Sequence, residues 1–498
     1  MMTKDYDTKI SHNQIPNYNN NFATRLLKLH LIDRYTATKL KTTTATCPRI
    51  YGQPKAHKQN VPLRPVVPGM TNPCYQLSKY ICCILQASME SKYNTKDSFS
   101  FCREIRDTDI PHNHIMVSFD VISLFTNIPR DLVIRDIINR WDTIKPHTKI
   151  NLDLFLEIVS FCMHASYFVF RGTHYIQKEG TAMGSPLSPI LADLVMDTLL
   201  DSVQKQLSYT IPTLRKYVDD LFLIVPADQL QHTLNVFNGY HHNIQFTCEE
   251  ECEGKLPYLD MTVIRQPDNT IQTEWFIKPI ASGRLLNFNS IHPLSQKIAI
   301  MQNFIDRVNK LSTIMDEDTK RTIITKHLLI NDFPRHLINR CLNRTNWNNN
   351  LPITKPSQDT NNNNNITTYR SIPSIPLLSQ QVIRLFKETY PTVKVTTRST
   401  NTVNKLYTRI KDPVPFLDQH SVIYRVNCQC NWNYIGMTGS LLKNRLAKHR
   451  SNIKQLNQLI EQGYTTQDEK MQAMKTTSTA LITHLYKAQL TVTQCNYR

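Results

Sequence analysis

Three aspartates are the residues best placed to do chemistry. Asp219 and Asp220 are adjacent in Leu214-Arg-Lys-Tyr-Val-Asp-Asp-Leu-Phe-Leu-Ile-Val225, and Asp120 lies in Val117-Ser-Phe-Asp-Val-Ile-Ser-Leu-Phe125. Each stands beside a strand-like apolar run, where a carboxylate costs free energy unless something pairs with it. An Asp-Asp pair at a tight turn, with a third carboxylate free to join it, suits two hard divalent cations. Two metals bridged by carboxylates are what in-line phosphoryl transfer asks for. The plain alternative is a solvated turn.

The rest of the composition fits a polyanionic partner. Formal charge is +18 over 498 residues, which favours nucleic acid or an anionic surface. That length has room for about three domains of roughly 150 residues. Eleven glycines are too few for a Gly-rich cofactor-binding chain. Twelve cysteines show no framework of regular spacings, and Met1 opens no secretory segment. They read as reduced thiols in a nuclear or cytoplasmic protein that is not secreted. No apolar run approaches the ~20 residues of a membrane span.

The elements that must position the aspartates follow from periodicity. A strand at Ile115–Phe119 leads into Asp120, and Leu221–Val225 reads as a short buried strand. Prolines 54, 62, 65 and 68 keep the stretch from Pro48 to Pro73 from being helical throughout. Helical patterns cover Phe22–Leu40, Tyr75–Met89, Leu132–Trp141, Leu152–Cys162, Pro186–Leu200 and Leu234–Tyr240. Tyr167–Phe170 with Thr173–Gln177 predicts a hairpin, and Pro257–Arg265 with Ile271–Ile277 a further strand pair. Residues 293–343 are helical in pattern and basic, and Asn361–Asn365 marks a polar linker within Asn346–Thr368. Strands and helices mix without strict alternation, which gives an α+β core.

These motifs stand in a telling order. A basic Pro-rich block precedes the Phe-Asp-Val segment. Gly180-Thr-Ala-Met-Gly-Ser-Pro-Leu-Ser-Pro-Ile-Leu-Ala-Asp193 and Tyr217-Val-Asp-Asp220 follow. The series resembles the fingers and palm of a reverse transcriptase. Tyr51-Gly-Gln-Pro-Lys-Ala-His-Lys58, Leu63-Arg-Pro-Val-Val67, Ser123-Leu-Phe-Thr-Asn-Ile-Pro129 and Ser290-Ile-His-Pro293 resemble the Penelope-like retroelement enzymes more narrowly. The resemblance covers residues 45–340 and implies a right-hand polymerase fold of fingers, palm and thumb. It further implies Mg2+ or Mn2+ held by Asp120 and Asp219, with Asp220 completing the acidic cluster. Lys55, Lys58 and Arg64 would clamp an incoming deoxynucleoside triphosphate, unless they form an exposed basic loop. Phe125 would exclude a ribose 2′-hydroxyl, or is a core phenylalanine. Gly184 and Ser185 would floor the template base, with Ser185 also able to cap a helix. Lys297, Arg307, Lys310, Lys320, Arg321, Lys326, Arg335, Arg340 and Arg344 would track a template–primer duplex, or form a solvated helix face.

A second resemblance follows at the C-terminus. Val422-Ile-Tyr424, Tyr434-Ile-Gly436, Arg445 and His449 resemble a GIY-YIG endonuclease domain, with Val422 where the first motif has glycine. It implies that Tyr424, Tyr434 and Arg445 position a water and the scissile phosphate. The metal-binding carboxylate of that family has no counterpart after Glu469, so an incomplete domain is expected, whose nicking centre is either active or inactive. Lys4-Asp-Tyr6 resembles a segment that lies internally in the family, so trimming is expected at that end too. Cys428, Cys430, His449 and His484 could bind Zn2+ tetrahedrally, or remain thiols and unligated histidines.

The expected layout is 1–114 N-terminal and fingers region, 115–280 palm, 281–345 thumb, 346–412 polar linker and connector, and 413–498 a partial, small α/β GIY-YIG-like domain. The expected activity is RNA-directed DNA synthesis for a mobile element. Its partners would be an RNA template, a DNA primer, target DNA and deoxynucleoside triphosphates, with no membrane. The competing reading is a catalytically inactive nucleic-acid-binding remnant of such an element.

Overall fold

The computed structural model describes residues 14–55, 61–106, 108–278, 281–345, 368–375, 377–398, 412–428, 433–462 and 495–497. Two helices, α1 (Ile15–Lys28) and α2 (Arg34–Leu40), precede a hairpin of β1 (Tyr51–Pro54) and β2 (Leu63–Val66). Helices α3 (Tyr75–Ser88) and α4 (Ser98–Arg106) lead into β3 (His114–Val121). Then come α5 (Leu124–Asn127), α6 (Arg130–Asn139), α7 (Trp141–Ile144), α8 (Leu152–His164) and the hairpin β4 (Tyr167–Phe170) with β5 (Thr173–Ile176). The long helix α9 (Ser188–Gln206) is followed by β6 (Thr213–Tyr217), β7 (Asp220–Pro226), α10 (Leu230–Gly239) and β8 (Phe246–Glu250).

Strands β6, β7, β3 and β8 form, in that order, one antiparallel sheet. Successive side chains of a strand point to opposite faces. Val117, Phe119, Leu221, Leu223 and Val225 therefore enter one core, with Leu191, Leu194 and Val195 of α9 and Phe237 of α10. Met116, Phe222 and Ile224 enter a second core with Phe101, Tyr258, Met261 and Val263. Burial on both faces is why β7 reads as an unbroken apolar run. Phe101 lies 5.1 Å from Phe222 and 4.7 Å from Tyr258, ring centre to ring centre.

The second core is roofed by β9 (Lys255–Tyr258), β10 (Met261–Arg265) and β11 (Ile271–Trp275). Beyond them α11 (Leu294–Leu311), α12 (Glu317–Ile330) and α13 (Arg335–Thr345) enclose a third core around Phe304, Ile305, Val308, Leu328 and Phe333. This three-helix unit is tied to β11. Thr313 N donates to Thr273 O at 2.7 Å, and Trp275 N to Ser312 Oγ at 3.0 Å. Arg307 adds an ion pair to Asp260.

A parallel pair, β12 (Thr368–Pro373) and β13 (Val393–Arg398), is joined through α14 (Leu378–Thr389). At the C-terminus β14 (Val422–Cys428) pairs with both β15 (Asn433–Thr438) and β16 (Cys495–Tyr497), beside α15 (Leu442–Glu461). Among the described residues no helix is long and apolar enough to cross a membrane. Cys47, Cys74, Cys82, Cys83, Cys102, Cys162, Cys248, Cys252 and Cys341 carry free thiols.

Several elements differ from expectation. The helical stretch expected at Phe22–Leu40 is two helices, with the chain turning at His30 (φ +55°). Pro257–Arg265 is two strands, because Leu259 takes φ +54° and reverses the chain between β9 and β10. Part of the segment read as polar linker and connector is the β12–α14–β13 unit, while Asn361–Asn365 lies outside the described residues. Truncating the fully buried Phe222 to alanine removes the ring shared by the second core and should cost about 3–5 kcal/mol. The check is the apparent melting temperature of purified Phe222→Ala. Melting together with wild type would show that this core does not unfold with the sheet.

Candidate active site

The three aspartates meet at one end of the central sheet. Asp120 is directly opposite Asp220 in the β3–β7 register, and directly opposite residues share a face. Tyr217 pairs with Asp220 across β6 and β7, so Val218 and Asp219 form the two-residue turn between them. Val218 has φ +59°. Positive φ at the first turn position alone is the type II′ pattern, whose twist matches the flanking strands. It is an expensive conformation for a β-branched residue and persists only where the surroundings over-determine it. Two contacts do so: Val121 N donates to Asp219 O at 3.2 Å, and Tyr258 Oη to Asp220 O at 3.2 Å.

Electrostatics link this turn to the β1–β2 hairpin. Burial pushes the Asp219 carboxyl above its ordinary range, and the charge of Asp120 pushes it further. The positive charges of Arg64 and Lys55 act the other way. Arg64 sits opposite Gln53 in the hairpin, and Lys55 N donates to Pro62 O at 2.9 Å. Lys58 lies outside the described residues. Burial, with the nearby charges of Asp220 and Asp219, holds the Tyr258 phenol far above its usual range, so it stays a donor.

The Gly180–Asp193 segment serves the same end of the sheet. Gly180 (φ +70°) abuts the backbone of Phe125 and Thr126, and Thr181 N donates to Phe125 O at 2.6 Å. Phe125 itself is half-buried against the first core. Gly184 was expected to admit a nucleotide; its tightest neighbours here are protein backbone. A Cβ on Gly184 would lie 2.0 Å from Val67 O, and one on Gly69 would lie 1.9 Å from Gly184 O. Ser185 accepts from Leu187 N through its side chain at 3.3 Å, just ahead of α9, whose first helical residue falls later than the expected Pro186.

The basic face expected on residues 297–344 is smaller than its lysines and arginines suggest. Lys297 Nζ donates to Phe288 O (2.5 Å) and Ser290 O (2.6 Å), and Arg307 pairs with Asp260. Lys310 pairs with Asp306 at 3.4 Å and Lys320 with Glu317 at 3.1 Å. Lys326, Arg335 and Arg340 are exposed.

A second polar centre lies on the C-terminal sheet. Tyr424 is opposite Gly436 and Tyr434 opposite Val426, which puts both rings on one face, 6.1 Å apart. A Cβ on Gly436 would lie 2.5 Å from the Tyr424 ring and 2.8 Å from that of Tyr434, so only glycine fits. Arg445 Nε donates to Tyr424 Oη at 3.1 Å. His449 Nε2 is 2.6 Å from the same oxygen. Burial, with Arg445 and Lys448 nearby, lowers the His449 pKa to about 4. The imidazole is thus neutral at pH 7 and shares a hydrogen bond with the Tyr424 hydroxyl. His449 Nε2 is therefore engaged with Tyr424. Cys428 lies on β14, while Cys430 and His484 lie outside the described residues. The spacing of Arg445 and His449, one helical turn, was the sequence signal for this pairing. Tyr258 had none.

Among the described residues no group of three or more His, Cys, Asp or Glu side chains is arranged to hold a metal ion. The carboxylates at the end of the central sheet are of the donor type that a hard cation takes. The Asp219 carboxyl is raised first by burial and then by the charge of Asp120, and a cation would offset both.

Residues 56–251 match the family described as reverse transcriptase (RNA-dependent DNA polymerase), and residues 284–343 match an animal helix-turn-helix domain. The chain therefore carries the domain of an RNA-directed DNA polymerase, a nucleotidyltransferase. No curated protein matches it. Among solved structures it is similar to telomerase from Candida albicans in complex with a fragment of telomeric RNA (TM-score 0.41, 11% identity, 66% of this chain and 62% of that one). It is also similar to apo telomerase from Candida tropicalis (0.40, 11%, 69% and 65%). A third likeness is to the RNA-dependent RNA polymerase of a human picobirnavirus (0.41, 12%, 60% and 57%). The chain spans less than two thirds of the length of each of these.

Asp219→Asn removes the repelled charge and should stabilise the cation-free protein at pH 7. The folded-state pKa of Asp219 is raised, so its cost is absent below the unfolded value of about 3.9 and grows as pH rises through the folded one. Melting temperatures of wild type and Asp219→Asn should thus coincide near pH 3.5 and separate by a few degrees at pH 7. A gap that is the same at both pH values would place the effect elsewhere.

Proposed function

We propose, from the premise that residues 56–251 are a reverse transcriptase domain, that the chain copies RNA into DNA as the polymerase of a Penelope-like mobile element. The observation that carries this reading is the opposition of Asp120 and Asp220 around the Asp219 turn, within reach of the charges of Arg64 and Lys55. Asp120, Asp219 and Asp220 would hold Mg2+ or Mn2+, which when bound supplies activation of a primer 3′-hydroxyl and neutralises the leaving pyrophosphate. Arg64, Lys55 and Lys58 bring positive charge to the triphosphate. Phe125, with its backbone clamped by Thr181, presents its ring to the sugar and disfavours ribose. Residues 281–345 act as the thumb, where exposed Lys326, Arg335 and Arg340 meet duplex phosphates. The partners are an RNA template, a DNA primer, target DNA and deoxynucleoside triphosphates, and the site of action is the nucleus, where target DNA lies.

The narrower Penelope-like assignment rests on motif wording and on the C-terminal centre. Tyr424, Tyr434, Arg445 and His449 form a GIY-YIG-like arrangement. Tyr424 Oη, held between Arg445 and His449, would orient a water beside a scissile phosphate, and the Arg445 guanidinium would stabilise the charge that develops there. A nick made there would leave a 3′-hydroxyl able to prime copying of element RNA.

Primer extension on an RNA template with Mg2+ or Mn2+ tests the polymerase. Asp120→Asn and Asp219→Asn should each lower synthesis by about a thousandfold or more, as expected for an interaction realised in the transition state. A folded wild type that binds template–primer but makes no DNA would establish the inactive remnant instead. For the C-terminal centre, Tyr424→Phe should abolish nicking of supercoiled plasmid DNA and leave primer extension unchanged. Nicking that survives this change would remove the assignment.

A further inference from the structure

The turn bearing Asp219 and Asp220 directly follows a buried lysine. Lys216 lies on β6, the strand at the edge of the central sheet, and its side chain is fully buried (0% exposed). Its Nζ is 2.7 Å from Asp193 Oδ1 and 3.1 Å from Asp197 Oδ1. An ammonium without water survives only if carboxylates or carbonyls replace that water. Asp193 and Asp197 stand one helical turn apart on α9, so both face the same strand.

The contact belongs to a larger seam. Ser91 Oγ donates to Asp197 at 2.9 Å, and Tyr93 Oη to Asp201 at 2.7 Å. Lys216 N donates to Tyr93 O at 2.8 Å, and Thr95 N to Lys216 O at 2.9 Å. Residues 91–95 thus cover the free edge of β6, while Lys216 bolts the strand to α9. The lysine charge is met by its two partners, and its link to Asp219 runs through the backbone of β6. Its influence is therefore geometric. It fixes β6 two residues before Val218, whose positive φ has to be imposed from outside.

We propose that Lys216, paired with Asp193 and Asp197, is a positioning residue that holds the Tyr217–Asp220 turn where Asp219 can share a cation with Asp120. The proposal rests on the polymerase reading above. Freed from α9, β6 slides or frays, Val218 relaxes to negative φ, and the bond from Val121 N to Asp219 O is lost. Asp219 then leaves Asp120.

The test uses the full chain and two variants, Lys216→Met and the gentler Asp193→Asn, which keeps the Lys216–Asp197 pair. Three quantities are read: melting temperature, Mn2+ affinity by titration calorimetry, and kcat and KM for dTTP on poly(rA)·oligo(dT). Lys216→Met should lower kcat about tenfold or more and weaken Mn2+ about fivefold, with KM for dTTP within about twofold. Asp193→Asn should move both in the same direction by a smaller factor, at a melting temperature near wild type. Wild-type Mn2+ affinity per folded molecule in Lys216→Met overturns the proposal, because a merely structural lysine lowers the folded fraction and nothing else. If Lys216→Met does not fold, unchanged kcat and Mn2+ affinity in Asp193→Asn overturn it equally. Wild-type protein that neither binds Mn2+ nor extends the primer would fail the polymerase reading instead, which is a distinct outcome.

Discussion

Asp120 and Asp220 are opposite each other because β3 and β7 pair in one register, and much of the surrounding structure holds that meeting of charges in place. A one-residue slip would turn Asp120 to the other face and bury a carboxylate in apolar packing. The register is fixed by what lies on the two faces. Val117 and Phe119 belong with the first core and Met116 with the second. Apolar burial on both sides thus specifies where the carboxylates stand, and the carboxylates contribute repulsion that burial has to offset. A sheet buried on one face only would leave one of these two constraints unmet.

The same logic explains the glycines and the hairpin. The Asp219 turn projects from the sheet end, and the Gly180–Ser185 segment packs beside it on the backbones of Phe125, Val67 and Gly69. These contacts leave no room for a Cβ at Gly69 or Gly184. They also lock β2, and with it Arg64, to the start of α9. Helix α9 then returns its Asp193 and Asp197 to Lys216. The cationic hairpin and the acidic turn are therefore joined through a single rigid path of backbone and helix. Their separation is set by packing and not by the flexible side chains that would meet a substrate.

What the sequence shows and hides here follows from the range of the interactions. Strands β3 and β7 were legible because apolar runs flanking aspartates are local patterns. The α3, α8 and β4–β5 elements were legible for the same reason. The split between β9 and β10 was not, since nothing in Leu259 announces a positive φ. The β12–α14–β13 unit was hidden by the neighbouring asparagine run, whose composition dominates that stretch. Of the site, the three aspartates were read from the residues, and Tyr424, Tyr434 and Arg445 were named from a motif resemblance that gave no pairing between them. Tyr258, which reaches Asp220 from 38 residues away, and Lys216, which reaches Asp193 from 23 away, carry no local sign of their partners. The basic helices show the converse error. Counting charges overstates a binding face when Lys297, Arg307 and Lys320 are spent on internal contacts.

The two polar centres solve opposite electrostatic problems, and that difference bears on how each could work. At the sheet end, acids crowd together with cationic groups held further off, so the site is short of positive charge and the cation it would take has to come from solution. On the C-terminal sheet, Tyr424 is already bracketed by a guanidinium donor and a neutral imidazole acceptor. Its hydroxyl is hydrogen-bonded within the chain, and the low pKa of His449 keeps that imidazole neutral over the whole physiological range. The first centre is therefore an incompletely compensated acidic cluster. The second is preorganised and responds to the removal of any one partner. Gly436 shows how far that preorganisation extends into the backbone, because the two tyrosines can share a face only where no side chain stands between them.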